Sequence, residues 1–499
     1  MNQPLRLHSP AGRWVVAASV LGSGAVFLES TVVNVALPAI ARDFGLGIEG
    51  LQWVVNGYLL TLSALMLLGG ALGDRFRRPV VFAVGCLAFA AASAGCAMAP
   101  ALGVLVALRL IQGAAGALLV PNSLAMLETA FSGDDRGKAI GQWAAWSAVS
   151  TAAGPLLGGW LIDAASWRWV FAVVVAVAIP AAWIAWRHPA AGEMESVVQR
   201  GRDARVDYLG AALVTLGLAG VVGALIAGPE AGFTDTVVLG AGLGGLALLG
   251  AFVAAERLVA RRGRHPLLPF AVFRSRQFTG ANLTTLLVYA ALGSLFFLLM
   301  PQLQTTLGYS ALRAGAALLP VNVLMLVISP VAGRISARIG PRLPMAGGAL
   351  VAGVGMLLFS RIGPGSSYVG TVLPAAIVFG VGLSALVAPL TAAVLGAVDQ
   401  DQAGIASGIN NAVARLAGLI ATAALPLAAG LGGLKRLDDP AFAAGYARAM
   451  WISAGLCAAG AMVALVTVRG GATRTGASVA EPSRTPGATA RPRPGTAAR

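Results

Sequence analysis

Gly70-Ala71-Leu72-Gly73-Asp74-Arg75-Phe76-Arg77-Arg78 closes a long apolar run, and a variant, Gly333-Arg334-Ile335-Ser336-Ala337-Arg338-Ile339-Gly340-Pro341-Arg342, closes another much further along the chain. A second set of marks recurs at nearly the same separation: Asp134, Gly137 and Gly141 match Asp401, Gly404 and Gly408. Two coincidences in step describe one structural unit used twice. The apolar runs say what that unit is. A hydrocarbon core about 30 Å thick needs about 20 mostly apolar residues per helical span. Six such runs precede a charged connector at Arg187–Asp207, a pair follows it, and six more complete the chain. The two copies lie further apart than six spans and their loops require, by about two spans of about 20 residues each. The expected fold is therefore an all-α polytopic membrane protein, with two six-helix bundles and two extra central helices. Residues 1–190 should form the first bundle, 191–265 the connector and inserted pair, and 266–468 the second bundle. Residues 469–499, mainly Arg, Pro, Ala, Gly and Thr, have almost nothing to bury and read as a disordered basic tail.

Composition agrees. Of the 499 residues, 57% are hydrophobic and 11% charged, with a mean hydropathy of +0.80, whereas soluble domains carry about 25% charge. The net charge of +15 would point to nucleic acid in a soluble protein. Here its sign is read loop by loop, because basic residues mark cytoplasmic connections. Arg42, Arg168, Arg313, Arg361, Lys435, Arg436 and Arg448 fall on one side; all other loop and tail arginines, with Lys138, fall on the opposite one. Such asymmetry is hard to obtain with an odd number of spans, so both termini should be cytoplasmic; the expected location is the bacterial cell (inner) membrane. The first apolar run, near Trp14, is long enough to span and is not followed by an A-x-A site, so it should stay as helix 1 rather than be cleaved. Cys86, Cys96 and Cys457 stand singly, and His8, His188 and His265 lie in or beside charged connections. No metal centre, haem or other cofactor is expected, and a membrane enzyme or redox subunit lacks its ligands.

Three charged residues sit well inside spans: Glu29, Arg109 and Arg415. Charge at mid-membrane costs about 2.5–3.5 kcal/mol on insertion scales, so it normally faces a cavity or a partner. Glu29 is the deep acid and the leading candidate to carry a proton, since alternating hydration lets such a carboxyl load and release; a neutral Glu bonded to a neighbouring helix is the structural alternative. Arg109 shares a helix face with Gln112, Gly113 and Gly116. It either tunes a carboxyl or relays a proton, or forms a structural ion pair. Gly154-Pro155-Leu156-Leu157-Gly158-Gly159 combines a GxxxG spacing with a missing backbone donor, which permits close helix contact and a bend. In the thirteenth span Ser407, Gly408, Asn411, Arg415 and Gly418 form a comparable stripe, whose Arg415 would meet substrate or pair with a carbonyl. Gln52, Trp53, Asn56 and Tyr58, with Trp143 and Trp146, belong either to an interfacial belt or to a pocket suited to flat, hydrophobic ligands. Parallel six-helix repeats are a plan of secondary transporters, with the substrate near the midplane between them.

At these residues the chain resembles the major facilitator superfamily, in particular its fourteen-helix drug:proton antiporter branch. Leu28-Glu-Ser-Thr-Val-Val-Asn-Val-Ala-Leu-Pro38 is similar to that branch's helix 1 motif, and Leu51-Gln-Trp-Val-Val-Asn-Gly-Tyr58 to its helix 2 opening. Gly70–Arg78 is similar to the signature between helices 2 and 3, Leu108-Arg-Leu-Ile-Gln-Gly113 to the helix 4 motif, and Gly154–Gly159 to the helix 5 motif of antiporters. Trp167-Arg-Trp-Val-Phe171, Phe273–Gly280, Gly308–Gly315 and Gly404–Asn411 extend the likeness through nearly the whole chain except the tail. The departures are Glu29 where the family usually has Asp, Arg77 where it has Gly, and Val174 and Ala176 in place of an Asn-Pro.

The resemblance implies the major-facilitator fold and alternating access, with a proton moving in as a hydrophobic drug or antibiotic moves out. Glu29 and Arg109 would couple the proton. Asp74, Arg75 and Arg78 would form the cytoplasmic gate, with Gly154, Pro155, Gly158 and Gly159 as the bending contact. Asn34, Trp53, Asn56, Tyr58, Gln112, Trp143, Trp146, Asn411 and Arg415 are the candidate cavity residues. The partners expected are a small-molecule substrate, protons and the bilayer, with no nucleic acid and a monomeric chain. Proton-coupled uptake of a metabolite is the alternative, and the helix 5 segment argues against it.

Overall fold

Five of the long helices begin where a polar side chain caps them. Ser9 accepts the Gly12 N–H at 3.1 Å and Pro10 takes the first helical position, so α1 (Pro10–Phe44) starts ahead of the apolar run at Trp14. It ends at Gly45, whose φ of 65° returns the chain through a left-handed cap that favours glycine. Asp207, Asp235, Ser275 and Asp439 cap α7 (Tyr208–Ala231), α8 (Thr236–Arg261), α9 (Arg276–Pro301) and α14 (Pro440–Thr467) in the same way. The computed structural model describes residues 5–188, 207–262, 270–399 and 402–470. Most of the expected connector, and the tail from residue 471, lie outside the described residues.

The remaining long helices are α2 (Ile48–Arg75), α3 (Arg78–Met98), α4 (Leu102–Ala130), α5 (Gly133–Ala164), α6 (Trp169–Arg187), α10 (Leu319–Ile339), α11 (Arg342–Phe359), α12 (Leu373–Leu395) and α13 (Ala403–Ala428). A short helix, Ala311–Ala316, precedes α10. Among the described residues this makes fourteen long helices, and thirteen are long and apolar enough to cross a membrane. The exception is α5. Its 32 residues are ample, but a charged first turn, Asp134-Asp135-Arg136, and a run of Ser, Thr, Gly and Trp lower its hydropathy. Such a helix faces protein and a cleft more than lipid.

Packing repeats with a shift of eight helices. In the first half α2 packs on α4, α1 on α5 and α6, and α3 on α4 and α6. In the second, α10 packs on α12, α9 on α13 and α14, and α11 on α12 and α14. The inserted α7 and α8 pack on each other, and α7 leans on α2 and α13. Its Leu218, Val222 and Ile226 share an apolar cluster with Leu60, Ala64, Leu419 and Ala423.

The halves meet at one end. Among the described residues, every hydrogen bond between the bundles lies toward the face opposite the N terminus. Gln304 Nε2 donates to the Val35 carbonyl at 2.9 Å, Gln52 Nε2 to Thr422 and Ala423 at 2.8 and 3.0 Å, and Ile48 N to Leu434 at 3.0 Å. At the N-terminal face α5 and α13 stand apart: a Cβ added at Gly137, Gly141, Gly404 or Gly408 would meet nothing within 4 Å. The bundles thus form a cleft closed at one face and open at the other.

Candidate functional site

The packing of α1 on α4 brings Glu29 to Arg109. Glu29 is 0% and Arg109 2% exposed, and Arg109 Nη1 donates to Glu29 Oε1 at 2.5 Å. The same nitrogen donates to Gln112 Oε1 at 2.6 Å, and Nε donates to the Val54 carbonyl at 3.0 Å. Gln112 Nε2 continues to Ser93 Oγ at 2.7 Å, which donates to the Phe89 carbonyl. One string of hydrogen bonds therefore links α1, α4 and α3. The guanidinium carbon sits 4.4 Å from the Tyr58 ring centre and 5.8 Å from that of Phe171, so aromatic faces complete its shell. Glu29 Oε2 is buried without a hydrogen-bond partner among the described residues. Removing one member of so buried a pair costs about 3–5 kcal/mol, because the survivor keeps an unpaired charge.

Tyr58 joins this pair to the cleft. Its ring covers Arg109, while its hydroxyl lies 3.4 Å from Ser30 Oγ. Beyond it Arg415, half-buried on α13, places its guanidinium carbon 5.9 Å from the Phe27 ring centre. Trp143 packs edge-on to Phe27 at 6.2 Å and donates Nε1 to Ser123 Oγ at 3.2 Å. Asn34 donates to the Ser30 carbonyl at 3.3 Å.

Other expected cavity residues are placed elsewhere. Gln112 is fully buried in the Arg109 string on the α3 side. Trp53 lies against Gly223 of the inserted α7 and packs on the apolar cluster that α7 shares with α2 and α13. Trp146, 56% exposed, lines a crevice of about 440 Å³ with Leu7, His8, Arg13 and Gln142 between the starts of α1 and α5. Asn56 is buried with neither side-chain amide atom bonded. In α13 it is Asn410, not Asn411, whose amide is engaged, with Thr285 Oγ1 at 2.7 Å and Asn282 Oδ1 at 3.3 Å.

The glycine segment of α5 is a double contact. A Cβ on Gly154 would run into Thr31, and one on Gly158 into Val32, both on α1. Gly159 lies against the backbone of Ala311 and Leu312, and Gly315 against the backbone of Pro155. One turn on, Asp163 accepts N–H groups from Ala311 at 3.0 Å and Leu312 at 2.9 Å. Sequence reasoning missed Asp163. The signal was there: a carboxylate just past the Gly-Gly contact, opposite a segment whose Ser310 cap marks a helix start with unpaired N–H groups.

At the open face Asp74 pairs with Arg78 at 2.6 Å, and Arg78 also donates to the Ala125 carbonyl at 3.1 Å. Arg75 lies 5.8 Å from the Phe76 ring centre. The Asp74–Arg78 pair, the Arg78–Ala125 bond and the Arg75–Phe76 contact all lie within the first bundle.

The sequence model described as Major Facilitator Superfamily matches residues 19–422. The chain is 35% identical to the puromycin resistance protein of Streptomyces alboniger, over 82% of this chain and 80% of that one. It is 32% identical to the tetracenomycin C resistance and export protein of Streptomyces glaucescens, over 84% and 77%. A multidrug resistance protein of Mycobacterium tuberculosis is also 32% identical, over 82% and 74%. Among solved structures, a bacterial homologue of the human lysosomal transporter Spinster in an inward-facing, occupied conformation matches with a TM-score of 0.64. It covers 92% of this chain and 97% of that one, and at 14% identity it speaks to the fold alone.

Proposed function

The chain belongs to the major facilitator superfamily and is a multi-pass membrane transporter rather than an enzyme, and on that footing we propose that it exports hydrophobic drugs or antibiotics in exchange for protons. The observation that carries the reading is the Glu29–Arg109 pair, a buried acid held by one oxygen and facing, through Tyr58, the cleft between the bundles. The names of its relatives, resistance and export proteins for puromycin and tetracenomycin C, support the direction and the kind of cargo.

In this reading both termini are cytoplasmic and the membrane is the bacterial cell membrane. The cleft, open at the N-terminal face, is then the state that takes up drug from inside. Oε2 of Glu29 is the atom that receives the proton. Protonation cancels the charge that holds Arg109, so the pair favours one packing of α1 on α4 when ionised and another when neutral. A proton and a drug drive transport only through such differences in affinity between the two states. The Gly154–Gly159 segment serves as the pivot. Asp74, Arg75 and Arg78 form the gate that would meet the second bundle once the N-terminal face closes.

The test is a dose–response series in a host stripped of its own exporters, using puromycin, ethidium and an aromatic carboxylate, nalidixic acid. Expression of the chain should raise the inhibitory concentration of at least one compound, and Glu29→Gln should abolish the increase. Identical sensitivity with and without the chain for all three compounds would remove the export reading.

A further inference from the structure

The cleft carries an uncompensated positive charge. Glu29 is the acid deep within a span, and it is committed to Arg109, so that pair adds no net charge. Arg415, twelve residues into α13 and thus near mid-membrane, makes no ion pair or hydrogen bond with any described residue, and its Nε is buried without an acceptor. The helices packed on α13 offer it nothing. On α2 the acids are Glu49 and Asp74, at the two ends; on α7 Glu230 sits in the last turn; α9 carries only Arg276, and α14 only Arg448. What faces Arg415 is the Phe27 ring, the Tyr58 phenol and, beside it, Ser30. A guanidinium beside an aromatic face, with a phenol nearby and no acid to pair it, is a receptor for a planar molecule bearing an oxyanion, since its donor fork matches carboxylate and sulfonate geometry.

We propose that Arg415 is the specificity residue of the exporter and that the substrate class is aromatic and anionic, a carboxylate, sulfonate or acidic phenol bound with its ring on Phe27. This rests on the export reading above. Exchange of such an anion outward for a proton inward moves charge in the direction that an inside-negative potential drives. Neutral aromatics would fit the apolar wall but leave Arg415 without a partner.

The test uses two probes with one scaffold, 8-anilinonaphthalene-1-sulfonate and N-phenyl-1-naphthylamine, titrated by fluorescence against the full chain in lipid nanodiscs with empty discs subtracted. The sulfonate should bind more tightly. Arg415→Gln should weaken it about tenfold and leave the neutral amine unweakened, which also shows that the variant is folded, and Arg415→Lys should recover part of the loss. Equal affinities in the wild type, no sulfonate binding, or Arg415→Gln weakening both probes alike or neither would overturn the proposal. Energised inverted vesicles separate it from the export reading. The sulfonate pattern without accumulation of either probe would sink export and leave the anion site standing. Accumulation of both probes regardless of residue 415 would do the reverse.

Discussion

Removing the Asp163 carboxylate should open the face opposite the N terminus. Asp163 ends α5 and accepts two N–H groups, from Ala311 at 3.0 Å and Leu312 at 2.9 Å, across the junction of the bundles. Bonds to a charged acceptor contribute about 1.5–3 kcal/mol each when shielded. Asp163 is exposed, and competing water reduces the two together to about 1–2 kcal/mol. Asp163→Ala should therefore raise the ratio of molecules open at that face to molecules closed there by about 5- to 30-fold. Gln52, Gln304 and the Ile48–Leu434 backbone bond still hold, so the closed state should be weakened and not lost. The assay is a distance distribution between spin labels at Ala165 and Arg313, one on each bundle. Cys86, Cys96 and Cys457 are buried and should not compete for label. A new long-distance population is expected, with Asp163→Asn intermediate because its carbonyl can keep one bond. An unchanged distribution would show that the junction is held elsewhere and that Asp163 is not a latch.

Gly154→Leu should abolish transport while the protein still reaches the membrane, because its side chain would have to displace Thr31 and overpacking of this kind costs about 1–3 kcal/mol; undiminished transport would show the α1–α5 contact to be slack. Reporter fusions after Arg13 and after Val468 should give the same cytoplasmic signal, as the loop charges require, and opposite signals would mean an odd number of spans.

Much of the architecture was legible because each span is an autonomous signal: lipid demands an apolar length, and a repeated loop such as Gly70–Arg78 and Gly333–Arg342 marks equivalent helix ends. Helix limits were less legible, since caps such as Ser9 and Asp439 recruit polar residues that hydropathy leaves out. In the site, Glu29, Arg109 and Arg415 stood out one by one as charges in lipid. Charge position alone left open which arginine serves the acid; the family resemblance implied Arg109, and the packing of α1 on α4 forms that pair. Gln112 lies one turn from Arg109 on the same face, so it followed Arg109 into the α3 side and away from the cleft. The neighbour of Trp53 was not legible for a different reason: where the inserted α7 docks is a tertiary fact, and it docks on α2. Asp163 was passed over because its partner is backbone, and backbone leaves no trace in the pattern of side chains.

The central claim is that Glu29 couples proton entry to drug exit, and drug-induced proton movement in energised proteoliposomes tests it most directly. Glu29→Gln keeps the side chain's length and hydrogen bonding but cannot titrate, so it should still bind drug yet neither accumulate it against a gradient nor move protons on its addition. Glu29→Asp, which retains a titratable carboxyl about one methylene shorter, should keep much of both. Uphill drug transport by Glu29→Gln with wild-type proton stoichiometry would contradict the account and place the coupling site elsewhere.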